Sequence, residues 1–399
     1  MVRAEKLLIL ARTNWRDRRW LFGIRQRDRF AHVYIIGQTG TGKTTLLEGL
    51  MRQDAVAGRG FSFLDPHGDA VQALASDIAA CGRADILYLD APDPSCPIAF
   101  NPLESVPLEQ RALAASGIIE AFKNVWGQWW GPRLEHWFRN GLLTLLDQPA
   151  STLADMPRLF ADDAFRKTAI ARVTHPAVRD FWFQEYAKYP VRYRAEALSP
   201  LLNKLGAFLA QPTLYRILTK PRSGFDCREV MDSGKILLVN LAKGRMGSDA
   251  CSLLGALLVT RIGLAALSRA NISETSRRDH FLYLDEFQNF TTLSVATMLS
   301  ELRKYRLGMI LAHQYVAQLK PEVREAVFGN VGSMITFRIG PEDAVFIEKW
   351  FEGEFSALDL MKLPNFNIYV RLQVDGAPVN PFSAETLRFT GRGKADGGR

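Results

Sequence analysis

The sequence predicts an α/β fold: a doubly wound, mostly parallel sheet carrying an all-helical insertion. Three observations predict it. Eight short apolar runs, at 33–36, 61–64, 86–89, 236–241, 281–284, 309–312, 333–338 and 367–372, mostly stop at Gly, Asp or Asn, as strands buried on both faces do. Helical stretches lie between most of them, which is the alternation of βαβ units. Between about Leu103 and Ser223 the alternation stops and the chain reads helical throughout. The expected division is a basic lead-in (1–30), a sheet domain in two pieces (31–104 and 223–390), an all-α insertion (105–222) and a flexible tail (391–399).

Each element has a local reason. At 399 residues the chain exceeds the size at which one core keeps growing, so two subdomains are expected. With 47% hydrophobic and 23% charged residues it is of ordinary globular composition, which excludes wholesale disorder. In the lead-in, Arg16, Arg18, Arg19, Arg25, Arg27 and Arg29 are interleaved with Trp15 and Trp20. This reads either as a basic arm for nucleic acid or membrane, or as a segment packing its tryptophans on the core. In the insertion, Thr152-x-x-Asp155 fits a capping box, and His175-Pro176 and Ser199-Pro200 place Pro where a first helical turn tolerates it. Trp126, Trp129, Trp130 and Trp137 cluster there, either to stack bases or as core.

Charge is unevenly spread. The net +8 is +6 over 1–30, −5 over 31–104, +6 over 105–222 and +1 over 223–399. The two basic segments suit a polyanion, nucleic acid or an anionic membrane surface; charge alone does not separate that from a merely solvated face. Cys81, Cys96, Cys227 and Cys251 form no C-x-x-C pair, and the six histidines show no zinc-ligand spacing. The run from Lys6 to Ala11 is too short for a signal peptide, and the longest apolar run, from Leu253 to Leu267, is broken by Arg261. A soluble, cytoplasmic chain is expected.

The chemistry starts at Gly37-Gln38-Thr39-Gly40-Thr41-Gly42-Lys43-Thr44-Thr45, which fits the phosphate-binding P-loop G-x-x-x-x-G-K-[ST] between an apolar strand and an amphipathic helix. Glycines without Cβ let backbone N–H groups turn onto phosphate oxygens, and the helix N-terminus adds partial positive charge. Lys43 is expected on the β- and γ-phosphates and Thr44 on Mg²⁺, so ATP and Mg²⁺ are the expected cofactors. A second strand ends in Asp285-Glu286: Asp285 would hold Mg²⁺ and Glu286 would polarise the attacking water. A third ends at His313-Gln314, where Gln314 could touch the γ-phosphate or orient water; otherwise it is a polar strand end. Arg303, on the stretch before that strand, could reach a neighbouring subunit as an arginine finger, or be a surface cation; Arg338 is its rival. Asp65-Pro66-His67-Gly68-Asp69 reads as a turn with Asp69 as helix N-cap.

Together these residues resemble the HerA/FtsK superfamily of P-loop ATPases, with Phe100-Asn101-Pro102-Leu103, Phe287-Gln288, Arg303-Lys304-Tyr305, Phe328-Gly329-Asn330-Val331-Gly332 and Phe337-Arg338 in the same order. The closer resemblance, over residues 30–390, is to type IV secretion coupling proteins, the conjugative DNA-transfer ATPases. It implies a RecA-like motor domain, an all-α domain at a pore mouth, a homo-hexameric ring, ATP hydrolysis with Mg²⁺, and DNA as substrate. It carries over the roles of Lys43, Thr44, Asp285, Glu286, Gln314 and Arg303. A relaxase or secretion-channel proteins are the partners it implies. Typical coupling proteins begin with membrane-spanning helices and this sequence shows none, so recruitment to the inner membrane would fall to partners. A DNA-processing or packaging motor, a nucleotide-gated scaffold and a protein-moving motor are the competing readings.

Overall fold

In the computed structural model residues 7–14, 18–127 and 130–388 are described, and they form two compact units. The first takes 1–90, 228–242 and 265–399; the second takes 91–227 and 243–264. The expected boundaries at 105 and 222 are therefore displaced, and a helical stretch after residue 242 joins the helical unit.

The first unit is built on a sheet of eleven strands among the described residues. They are β1 (Leu7–Thr13), β2 (Leu21–Arg25), β3 (Val33–Ile36), β4 (Gly60–Asp65), β5 (Ile86–Asp90), β6 (Ile236–Asn240), β7 (His280–Leu284), β8 (Leu307–His313), β9 (Ser333–Thr336), β10 (Asn367–Arg371) and, after the two-residue strands β11 (Gln373–Val374) and β12 (Ala377–Pro378), β13 (Phe382–Thr386). The order is β2-β1-β13-β10-β9-β3-β8-β7-β4-β6-β5. From β9 to β5 the pairs are parallel; β10, β13, β1 and β2 join antiparallel. All eight predicted runs are strands. Helices α1 (Lys43–Val56) and α2 (Asp69–Ala80) follow β3 and β4 as parallel crossovers require.

The lead-in is a correction. Its run from Leu7 is strand β1, not a preamble, and β1 and β2 extend the sheet. Its cations are largely spoken for. Arg25 and Arg27 pair with Asp375, and Arg29 is buried against Asp54 at 2.7–2.8 Å through its two terminal guanidinium nitrogens. Tyr283 Oη and Arg59 Nε also donate to Asp54, at 2.6 Å each. Burial alone would raise the Asp54 carboxyl, but Arg29 and Arg59 hold it below its ordinary value. The knot ties α1 to β7. Trp20 is 65% exposed and does not pack on the core, with Arg18 over its ring; Trp15 and Arg16 lie outside the described residues, as does the tail 391–399.

The second unit is helical by itself. Helix Arg111–Trp126 meets helix Ser248–Ser268 so closely that a Cβ on Gly117 would lie 2.3 Å from Thr260 Cγ2. Trp137 is buried in an aromatic cluster with Phe160, Phe181 and Tyr186, and Trp182 Nε1 donates to Thr144 at 2.8 Å. For Trp137 the core reading holds; Trp126 and Trp130 are half-buried, and Trp129 lies outside the described residues. Asp155 does accept from the Thr152 backbone N–H, but it is the first residue of its helix with Ala154 at the cap, so the expected capping box does not form; Pro176 opens a helix as expected. Pro200 does not: it lies inside helix Val191–Leu209, where packing of Leu198, Leu201, Leu205 and Phe208 outweighs the lost hydrogen bond. Among the described residues one helix, 248–271, is long and apolar enough to cross a membrane; 83% of its apolar window is buried within the protein.

Candidate nucleotide site

The site lies at the carboxyl edge of the parallel strands, where open α/β sheets bind ligands. β3 delivers the chain to Gly37, whose N–H donates to the His313 carbonyl at 3.3 Å; Gln38 N–H donates to the Arg338 carbonyl at 2.8 Å. The loop is thus pinned to both neighbouring strand ends. Three glycines are required by geometry. A Cβ on Gly37 would lie 2.5 Å from Phe337 Cβ, and Gly40 and Gly42 hold φ of 76° and 117°. Gly42 then opens α1. A loop of this kind can turn backbone N–H groups towards a phosphate. Thr39, at the loop's crest, is exposed, and Thr45 sits half-buried in the first turn of α1.

Lys43 is buried and folds its ammonium onto the loop, donating to the Gly37 carbonyl at 2.6 Å and the Gln38 carbonyl at 3.1 Å. Burial lowers its pKa, against the opposing pull of Asp285 and Glu286. Thr44 Oγ1 donates to Asp285 Oδ2 at 3.1 Å, so the two expected metal ligands are neighbours although 241 residues apart. Hydroxyl and carboxylate oxygens are the hard donors that Mg²⁺ takes, and the donor set fits that ion. Burial, with Glu286 and Asp65 nearby, pushes Asp285 up to about 6. A divalent cation would reverse that balance.

Glu286 is buried and held by both oxygens. Gln314 Nε2 donates to Oε1 and Gln288 Nε2 to Oε2, each at 2.7 Å. Its backbone sits at φ 48°, ψ 49°, a left-handed conformation that costs a non-glycine residue about 1–3 kcal/mol. The sequence pointed to Gln314 at the γ-phosphate or a water, not at this acid; Gln288 was visible only within a motif, and no sequence signal marks the strain. His313 is buried and bonds Tyr34 Oη; burial lowers its pKa to about 3. It is a packing residue.

Three placements differ from expectation. Asp69 does not cap α2. Asp65 does so from the strand end, accepting from His67 and Val71 N–H at 2.8 and 3.0 Å, while Gly68 occupies the cap at φ 96°. Arg303 is exposed in a 3₁₀ turn just before β8, at the edge of the sheet opposite the P-loop. It lines a pocket of about 400 Å³ with His32, Asn330 and Arg371. Arg338 is beside the loop instead, its guanidinium reaching Gln38 Oε1, the Leu363 carbonyl and Asn365 Oδ1 at 3.4, 3.2 and 2.9 Å. The structure brings together the P-loop, Asp285, Glu286 and Gln314, and leaves Arg303 apart.

No known protein-family profile matches the chain. No curated protein matches it in sequence. Among solved structures it is similar to the bacterial conjugative coupling protein TrwBdeltaN70, unbound monoclinic form, with a TM-score of 0.68 and 15% identity over 93% of this chain and 88% of that one. TrwB in complex with ADP and Mg²⁺ gives 0.66 and 15%, over 92% and 87%. VirB4 of Thermoanaerobacter pseudethanolicus gives 0.63 and 14%, over 97% of each chain. The fold is thus the α/β, RecA-like fold that these solved structures share.

Proposed function

We propose that the chain is a Mg²⁺-dependent ATPase that works as a ring-forming DNA translocase of the conjugative coupling-protein type. The observation that carries the reading is Glu286 clamped by Gln288 and Gln314 beside the Thr44–Asp285 pair. A scaffold that merely binds nucleotide has no use for a buried carboxylate fixed by two amides, whereas hydrolysis needs a base aimed at a water. Thr44 and Asp285 would hold Mg²⁺, which supplies charge neutralisation on the phosphates. Lys43 and the loop N–H groups bind the β- and γ-phosphates, Gln314 and Gln288 orient Glu286, and Glu286 takes the proton of the attacking water. Arg303 would complete the site of an adjoining subunit. The +6 charge over 105–222 supports a polyanionic substrate. The TrwB structure with ADP and Mg²⁺ supports the cofactor assignment. A relaxase or channel component, with recruitment to the inner membrane, belongs to the same reading.

ATPase rate measured with and without single- and double-stranded DNA, alongside native mass with ATP, tests it. Stimulation by DNA and a hexameric mass are expected. ATP turnover indifferent to either DNA, from a monomer at all concentrations, would overturn the motor.

A further inference from the structure

The nucleotide reading fixes the ends of the phosphate chain but leaves the base without a seat. Topology narrows where it goes. Strand β3 lies between β8 and β9, with β7 and its Asp285-Glu286 beyond β8. A nucleotide whose terminal phosphate points to those acids must run its ribose and base the other way, past the ends of β9, β10 and β13. β10 is antiparallel to β9 and to β13. The start of β10 and the ends of β9 and β13 therefore fall at the same edge as the P-loop.

Two aromatic residues stand there among the described residues, Phe337 and Phe366; Phe337 is fully buried against Gly37 and Gly42, which leaves Phe366. Phe366 is half-buried, and its backbone has φ 66°, a left-handed conformation that a bulky side chain rarely takes. Both of its backbone groups are tied. Its N–H donates to the Thr41 carbonyl of the P-loop at 2.8 Å, and its carbonyl accepts from Thr386 N–H and Oγ1 at 2.8 and 3.0 Å. The ring is set against the loop so closely that a Cβ on Gly42 would lie 2.8 Å from Phe366 Cδ1. The Arg388 guanidinium, exposed, stands 5.5 Å from the ring centroid, and Arg338 is fixed alongside by Asn365. A strained residue, pinned at both ends to present a ring beside the phosphate cradle, is what a stacking platform requires.

Resting on the nucleotide reading above, we propose that Phe366 is the base platform of the site: the nucleobase stacks on its ring and Arg388 moves outward to cover the far side of the base. A base between two planar groups needs about 7 Å, twice a stacking distance of about 3.5 Å, so Arg388 must give way. As an exposed side chain it is free to do so.

The test compares ATP with inorganic tripolyphosphate, both with Mg²⁺, on the full chain. Phe366→Asn removes the ring and keeps a residue at ease in the left-handed region. It should weaken ATP about 5- to 100-fold and tripolyphosphate less than about twofold. Lys43→Ala should weaken both. Phe366→Trp should bind ATP as the wild type does, and its added emission should be quenched by ATP and not by tripolyphosphate. Equal loss of both ligands in Phe366→Asn would assign the residue to loop support alone and overturn the platform, as would unchanged ATP affinity or a Phe366→Trp emission blind to ATP. A wild type that binds neither ligand would overturn the nucleotide reading itself.

Discussion

Arg303→Ala separates two ways in which a cation could serve hydrolysis. Strand β8 runs from Leu307, next to Arg303, to His313 at the phosphate edge. At about 3.3 Å per residue its length is about 20 Å. A unit charge at that distance interacts with another by only ~0.8 kcal/mol even at an effective dielectric of 20, and by ~0.2 kcal/mol in water. Acting on its own P-loop, Arg303 could thus change kcat no more than about fourfold. Acting on an adjoining subunit's γ-phosphate, it would be worth roughly 10³–10⁵. We expect Arg303→Ala to bind ATP normally and to lose at least about 10³ in kcat. Mixing it in equal amounts with Lys43→Ala subunits should restore activity. In a ring with head-to-tail interfaces, about one boundary in four pairs an intact P-loop with an intact Arg303, so recovery approaches a quarter of the wild-type rate. The assay is steady-state ATPase on co-refolded or subunit-exchanged mixtures, with native mass confirming mixed rings. A fall of fourfold or less, or mixed rings that recover nothing, refutes the trans assignment.

Other expectations can be checked separately. Glu286→Gln should keep ATP binding while kcat falls about 10²–10⁴-fold, whereas Lys43→Ala should lose binding itself; equal loss of binding in both would refute that division of roles. DNA affinity should fall steeply between 50 and 200 mM salt with little sequence preference, by about 10³-fold or more if some six phosphates are contacted; a salt-independent Kd would remove the electrostatic account. His280 is buried against Ser62 Oγ, and burial lowers its pKa to about 3. Its neutral form therefore contributes stability above the ordinary value of 6.5 that is lost as pH falls towards 3. Near pH 5 the unfolded chain binds one more proton there, so denaturant unfolding of His280→Gln should depend on pH less steeply than wild type, by ~1.4 kcal/mol per pH unit; identical slopes would show the site titrates normally in the fold.

How much of this was readable in the residues follows from what each element is made of. Strands β3, β4, β6, β7, β8 and β9 in the parallel part are buried on both faces, so they appear as apolar runs. β1, β2 and β13 are half-exposed antiparallel strands with charged neighbours; the apolar run of β1, Leu7 to Ala11, sits in a basic segment, and β2 and β13 show no comparable run. The P-loop and Asp285-Glu286 were visible because phosphate and metal chemistry dictate residue types at fixed spacing. Gln314 was visible as a polar residue ending an apolar strand. Phe366 was not, since an aromatic after Pro364-Asn365 reads as a loop, and its meaning comes from strands that pair across the sheet. Pro200 and Asp69 were misread for the same reason: a local preference was outvoted by packing in one case and by Asp65, four residues upstream, in the other.

The placement of β3 between β8 and β9 bears on how the chain is made. Translation delivers the P-loop well before its neighbours: neither strand that flanks it exists until roughly 270 residues later, an interval of roughly 15–50 s at ordinary ribosome speeds. During that time Val33, Tyr34, Ile35 and Ile36, all buried in the finished protein, have no lateral neighbours. The helical unit's residues 91–227 emerge meanwhile and can condense through contacts near in sequence. Nascent chains stalled before residue 307 should therefore hold a complete phosphate-binding motif and yet capture no nucleotide. Nucleotide capture during synthesis then reports that the parallel part of the sheet has closed around β3.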